Sequence, residues 1–244
     1  MSLQQEQRVH FERLFRAAYT LGLATPDTVR FQHLYFGFYI DARSGKKLSS
    51  RDSVSNVTQL LTAAFTYFRS SLSDRSHQSP ETIEKTAKEL TVGSLVFDEL
   101  KKGIRSSVEI DGSDLTATIE GFEKGGGAYV IYSAVRAGSV LRRAESAEFG
   151  DESADPVLDG QEVTLLLKLQ QMPEIVAAAA DRAEASVLVR HLLDISTVYN
   201  SYYGRVQVIS NGVADPWRLQ VTRAVHNALR AGLAFCHVDC PQTM

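Results

Sequence analysis

Gly45 to Arg51 reads GKKLSSR, a run of seven residues holding two lysines, two serines and an arginine. Ammonium, hydroxyl and guanidinium donors at this density suit the oxygens of a phosphate or pyrophosphate, whose charge they hydrogen-bond and neutralise. Such chemistry also needs something opposite the loop to hold the nucleotide in line. The loop therefore reads as a phosphate holder, and the competing reading is a plain solvated loop. Gly125 to Gly127 could meet a phosphate at a helix start, but no Lys-Ser/Thr ending follows, and a turn is the better reading. Cys236, His237 and Cys240 fall one ligand short of a structural zinc site, with no second cluster to complete it. No metal is expected there, and the two cysteines read as small buried hydrophobes.

The elements that must position these groups are mostly helical. Phe11, Leu14, Phe15, Ala18 and Leu21 recur at steps of three and four, and Gly22 offers a stop. Arg30 to Ile40 reads as a strand leading into the lysine loop. Helices follow over Val54–Leu72, over Glu81–Lys101 behind Ser79-Pro80, and over about Ala128–Ala144 behind the glycines. Glu145 to Glu162 is rich in acids and has no base, so it reads as a solvated connection and a candidate domain boundary. Beyond it the pattern gives helices over Glu162–Gln171, Pro173–Ala180 and Glu184–Tyr203, a loop, and a last helix over Pro216–Ala234. Asp215 is placed to cap that last helix, and Trp217, Val221, Ala224, Val225, Ala228 and Gly232 are expected on one face. No internal repeat is visible.

Composition narrows the classes. A chain of 244 residues with 44% hydrophobic content can bury a substantial core. Its longest wholly apolar stretch, Ile175 to Ala180, is six residues, against the roughly 20 that a membrane span requires. The start MSLQQEQRVHFERLF shows no export signal, and two cysteines imply no disulfide framework, so a cytoplasmic protein without membrane contact is expected. A net charge of -3 excludes a surface coated in basic side chains; any nucleic-acid contact must be local.

Several stretches together resemble the class I arginyl-tRNA synthetases. HFERLFRAAYTLGL and FQHLYFGFYI look like the segment that closes the family's nucleotide-binding domain, and GKKLSSR falls where the family carries its KMSKS-type loop, so the resemblance implies Lys47, Ser49, Ser50 and Arg51 as candidate catalytic donors. AKELTVGSLVFDEL and GFEKGGGAYVIYSAVRAGSVLRRA resemble its connecting helices. From LLLKLQQMPEIVAAAA through YNSYYGRVQVI to RLQVTRAVHNALRAGLAFCHVDCPQTM the chain is similar to the helical anticodon-binding domain called DALR. The likeness runs from His10 to Met244 in family order. The family's other nucleotide signature, HIGH, has no counterpart: His10, His33, His77, His191, His226 and His237 never begin a His-x-Gly-His pattern.

The resemblance implies a mainly α protein, a DALR-type helical bundle preceded by a small α/β remnant of a class I catalytic domain. The expected parts are a remnant over 1–75, connecting helices over 76–145 and the anticodon-binding bundle over 146–244. It implies binding of tRNA, an arginine tRNA in particular and not DNA, within arginyl-tRNA aminoacylation. Tyr199, Tyr203, Arg205, Arg218, Arg223 and Met244 are the candidate contacts. Helical spacing alone would place Tyr199, Tyr202 and Tyr203 in the core; Tyr199 and Tyr202 are expected there, and Tyr203, beside Gly204 and Arg205, is the better stacking ring. Arg218, Arg223 and Arg230 either meet phosphate or line a solvated face. Resemblance to an arginine-tRNA ligase does not make the chain one by itself: without a HIGH-bearing half it is expected to be silent, and ATP with magnesium enters only if such a half completes it. Alternatives are a subunit of a split enzyme, docked or self-associated through residues 11–40, and a paralogue serving as a protein-binding scaffold.

Overall fold

The first helix, α1 (Arg8–Thr20), ends where the sequence offers Gly22, whose φ of +69° lies in the left-handed region that favours glycine. The computed structural model describes residues 7–47, 57–74, 78–110, 115–150 and 158–244, and these divide into two units. One unit comprises residues 1–54 with 103–113. In it β1 (Tyr39–Asp41) pairs in parallel with β2 (Val108–Ile110), register Tyr39↔Val108 to Asp41↔Ile110. The expected strand from Arg30 to Ile40 is thus paired only at its end. Its alternation is still used: Phe31 stacks on Phe15 with centroids 5.0 Å apart, and His33 on Phe11 at 4.6 Å. A strand needs a neighbouring backbone, and among the described residues none lies along Arg30–Phe36. None of this unit's described residues is fully buried.

The other unit, residues 55–102 with 114–244, holds the remaining helices among the described residues. They are α2 (Val57–Ser73), α3 (Pro80–Lys101), α4 (Leu115–Lys124), α5 (Gly127–Ala144), α6 (Gly160–Arg182), α7 (Ser186–Tyr203) and α8 (Pro216–Phe235). Local chemistry fixes their starts. Ser79 Oγ accepts from Thr82 N–H at 3.3 Å ahead of Pro80, and Asp215 Oδ1 accepts from Arg218 N–H at 3.0 Å ahead of Pro216. Asp159 and Glu162 form a capping box: Asp159 Oδ1 accepts two backbone N–H groups at 2.8 Å, and Glu162 Oε2 accepts from Asp159 N–H at 3.1 Å.

Helix α5 is the hub, packing on α3, α4, α7 and α8, with Val130, Ile131, Ala134 and Ala137 wholly buried. Glycine permits two of these approaches. A Cβ on Gly127 would sit 2.8 Å from the Ser94 Cα of α3, and one on Gly138 would sit 2.9 Å from the His226 ring of α8. The glycine triplet is therefore a buried turn: Gly126 has φ +101°, and the Gly125 carbonyl accepts from Lys101 Nζ at 2.9 Å. No phosphate cradle is open there.

Helix α6 runs unbroken through Pro173, where the sequence suggested two helices. Proline deprives the Leu169 carbonyl of its helical donor and costs about 3 kcal/mol in a helix interior. Helix α7 offsets this by lying along both halves. His191 Nε2 donates to the Lys168 carbonyl at 2.9 Å, Lys168 Nζ pairs with Asp194 at 2.8 Å, and Leu169, Met172 and Val176 pack on the core either side of the proline. On α8 the buried face is Leu219, Val221, Thr222, Val225, Leu229, Gly232 and Leu233, and Ala224, expected there, is exposed, because it lies on the side turned from α5 and α7.

Past the acidic stretch's start, β3 (Glu148–Phe149), β4 (Ile209–Ser210) and β5 (Val213–Ala214) form a small sheet in the order β3-β5-β4. The β4–β5 hairpin turns at Asn211-Gly212, with φ of +50° and +81°, the pair that a two-residue type I′ turn requires. The units divide the chain elsewhere than at 75 and 145: α2 joins the bundle, and α5 and α6 lie within one unit.

Candidate nucleic-acid interface

Three tyrosines end α7, and the helix sends them to different places. Tyr199 and Tyr202 are 0% exposed and central to the core, out of reach of a base, and burial pushes both phenols well above their usual ionisation range. Tyr203, one turn after Tyr199, is half-buried and touches both hydrophobic clusters of the unit. Its ring faces a group that the sequence reading had not singled out: the Arg136 guanidinium of α5, 5.2 Å from the ring centroid.

Arg136 is held from all sides. It lies 4.4 Å over the ring of Tyr132, one turn earlier on α5, donates from Nη2 to that residue's hydroxyl, and donates from Nη1 to Asn200 Oδ1 at 2.7 Å. Asn200 Nδ2 in turn donates to the buried Ser133 Oγ at 2.6 Å. Two tyrosine rings thus flank one guanidinium, whose direction is set by its hydrogen bonds to Asn200 and Tyr132. Tyr132 is 42% exposed, so the cluster reaches the surface. Planar aromatic and guanidinium faces of this kind stack unpaired bases. The signal available in sequence was Tyr-x-x-x-Arg on one face of α5, the spacing of neighbours on a helix.

The expected arginines divide. Arg205 Nη2 lies 3.5 Å from Asp159, and Arg218 donates from Nη1 to the Gln207 carbonyl at 3.1 Å with its Nε 3.4 Å from Asp215. Both have intramolecular partners. Arg223 is exposed with no partner among the described residues, leaving its five donors to solvent or a ligand. Met244 is half-buried against the main core, and the Gln242 carbonyl two residues before it accepts from Arg142 Nη2 of α5 at 2.9 Å.

In the lysine loop, Asp41 Oδ1 accepts from the N–H groups of Arg43 and Ser44, and Gly45 has φ +66°. This turn carries Lys47 back to bridge Ile40, with its Nζ 4.2 Å over the Phe38 ring. Ser49, Ser50 and Arg51 lie outside the described residues. Cys236 is buried and Cys240 half-buried, and burial pushes both thiols up to about 11. Among the described residues no three His, Cys, Asp or Glu side chains gather as a metal site, and no helix is long and apolar enough to cross a membrane.

Residues 130–244 match the family described as DALR anticodon binding domain. Arginine-tRNA ligase 1 of Bacillus cereus is 29% identical over 240 residues, which are 98% of this chain and 41% of that protein. The Limosilactobacillus reuteri arginine-tRNA ligase is likewise 29% identical over 241 residues, again 41% of its length. The chain therefore spans about two fifths of these relatives. Among solved structures, the Plasmodium falciparum arginyl-tRNA synthetase superposes with a TM-score of 0.72 at 16% identity, over 99% of this chain and 40% of that one. The Thermus thermophilus enzyme gives 0.67 at 23% identity, over 87% and 35%. The last two likenesses are of fold. Residues 130–244 form a DALR anticodon-binding domain, and the chain as a whole is homologous to the C-terminal 41% of arginyl-tRNA synthetases.

Proposed function

We propose that this chain binds the anticodon side of a tRNA, an arginine tRNA in particular, in cytoplasmic arginyl-tRNA metabolism. The observation that carries the reading is the coincidence of the DALR match with the helices that bring Tyr132, Arg136 and Tyr203 together at one surface. The rings take an unstacked base, and Arg223 takes backbone phosphate. Arg205 and Arg218 serve by exchanging their intramolecular partners for phosphate, or remain structural. The test is equilibrium binding of the whole chain to arginine tRNA and to unrelated tRNAs over a range of salt. Preferential binding that weakens as salt rises is expected, because phosphate contacts release counterions. Equal, weak binding of every RNA would refute it and favour the protein-binding scaffold.

A second reading is favoured by the extent of the similarity, which runs over 240 residues and so includes the loop of Lys47 outside the DALR domain. In that reading the chain completes an arginine-tRNA ligase with a separately supplied half that holds ATP and arginine, and is silent alone. Lys47 then acts on the pyrophosphate charge that develops as the α-phosphate is attacked, joined by Ser49, Ser50 and Arg51. Lys47→Ala in the reconstituted enzyme should lower arginine-dependent ATP-pyrophosphate exchange far more than tRNA affinity. Robust exchange by the chain alone would refute the dependence on a second half.

A further inference from the structure

Helices α5 and α8, which pack on each other, together carry six arginines and no Asp or Glu, in a chain whose net charge is -3. They cross closely at Gly138. A Cβ there would lie 2.9 Å from His226 Cε1 and 3.5 Å from Arg142 Nη1, so the imidazole of α8 and the guanidinium of α5 meet over a residue without a side chain. Both groups are aimed. His226 Nδ1 lies 3.0 Å from the Ala134 carbonyl, which can only accept, so Nδ1 carries a proton and Nε2 is left with a lone pair and no partner among the described residues. Arg142 is exposed, and the bond from its Nη2 to the Gln242 carbonyl at 2.9 Å holds the guanidinium while leaving its other N–H groups without partners among the described residues. On α8, Arg223 and Arg230 stand three residues before His226 and four after it, the spacing of neighbours on one helix face, and both are exposed. Arg230 also lies near the half-buried Cys240 thiol. The charged groups that α5 and α8 turn to the imidazole are thus Arg142, Arg223 and Arg230, all cationic.

We propose that the α5–α8 seam at Gly138 is a phosphate site separate from the ring cluster, in which Arg142, Arg223 and protonated His226 hold one oxyanion and a proton is taken up as it binds. Arg142 stands six residues after Arg136 on α5, which turns it roughly 120° round the helix from the tyrosine-flanked guanidinium. An imidazole takes up a proton near neutral pH, and with that proton Nε2 becomes a donor beside the two guanidiniums. The proton comes from solvent, no covalent bond is made or broken, and the anion's charge offsets the one gained. Charge-assisted bonds from guanidinium and imidazolium are the donors that phosphate oxygens hold best. The inference rests on the tRNA reading only for the source of the phosphate, a backbone phosphodiester; a free inorganic oxyanion has the same chemistry.

The experiment measures binding of arginine tRNA to the whole chain at about pH 6 and about pH 8 at one ionic strength, and follows the histidine ring signals by NMR. Backbone phosphodiesters stay ionised over this interval, so a proton taken up at the site belongs to the protein. The parent should bind roughly three- to tenfold tighter at the lower pH. The ring signal that is lost in His226→Gln should move to its protonated position when tRNA is added to the parent. His226→Gln should remove the pH dependence, and Arg142→Gln should shrink it. Arg190→Ala, the same loss of charge on α7, should leave it as in the parent. No pH dependence in the parent, or one that survives His226→Gln, overturns the inference and leaves the tRNA reading standing. Should His226→Gln fail to fold, the parent's own signals decide, and no ring signal moving on addition of tRNA overturns the inference equally. If tRNA does not bind but sodium sulfate, an oxyanion that keeps its charge over this interval, moves a ring signal to its protonated position, the site stands and the tRNA reading falls. No response to either probe refutes both.

Discussion

Replacing Tyr203 with leucine separates recognition from packing. A leucine keeps most of the contact with the two hydrophobic clusters that Tyr203 joins, and removes the aromatic face. In the free protein the loss is the cation–π contact with Arg136 at 5.2 Å, about 0.5–1 kcal/mol at a site open to solvent, plus a small shape mismatch. Urea denaturation should therefore show a loss of about 1 kcal/mol with an unchanged m value. A base stacked on the ring contributes about 1–3 kcal/mol, so affinity for arginine tRNA should fall roughly 5- to 150-fold. Because no phosphate contact is removed, the slope of log affinity against log salt should stay the same. A folded Tyr203→Leu protein that binds within twofold of the parent would refute the stacking role. A shallower salt slope would show that the substitution acted by displacing an arginine.

Arg223→Ala should weaken all tRNAs alike and lower the salt slope by about one, measured by the same titrations; a loss confined to arginine tRNA would contradict a phosphate contact. Pro173→Ala restores the donor for Leu169 on an exposed side of α6 and should raise stability by about 1–3 kcal/mol in urea, a fall instead meaning that the helix relies on the proline's local geometry. The Cys236 and Cys240 thiols, raised by burial from 9.0 to about 11, stay neutral in the fold after the unfolded chain has ionised. Stability tied to them is complete below pH 9 and is lost as pH rises from 9 towards 11, so the urea midpoint should drop over that interval, and less in a Cys236→Ala, Cys240→Ala protein.

Helix ends were legible because their chemistry is local. Ser79-Pro80, Asp215-Pro216 and Gly22 each act within a turn of themselves, and the structure uses all three. Asn211-Gly212 was equally local, and its hairpin was open to a reader who weighed it against the strands either side. What stayed hidden depends on distant partners. Pro173 breaks a helix by local rules and is overruled by His191 and Asp194 of α7. Arg136 looks like any exposed arginine until Asn200, 64 residues away, and Tyr203 are brought beside it. The strand pattern at Arg30–Phe36 was visible, but a strand also needs a paired backbone, and here the pairing begins only at Tyr39. Helical spacing alone put all three tyrosines of α7 in the core; the packing of α5 and α8 against α7 buries Tyr199 and Tyr202 wholly and leaves Tyr203 half-buried.

The hydrogen-bond chain from Ser133 through Asn200 to Arg136 also limits how far the proposed tRNA-binding surface can be transplanted. Moving Tyr132, Arg136 and Tyr203 onto another bundle would carry the letters without their register, since the guanidinium is aimed by an asparagine from a second helix and that asparagine by a buried serine from the first. A protein engineer would have to lift α5 and α7 as a pair, with the close α5–α8 crossing at Gly138 that fixes the roll of α5. The smallest portable piece is a set of three helices, and substitutions at its buried seams should be read as edits to the proposed binding surface itself.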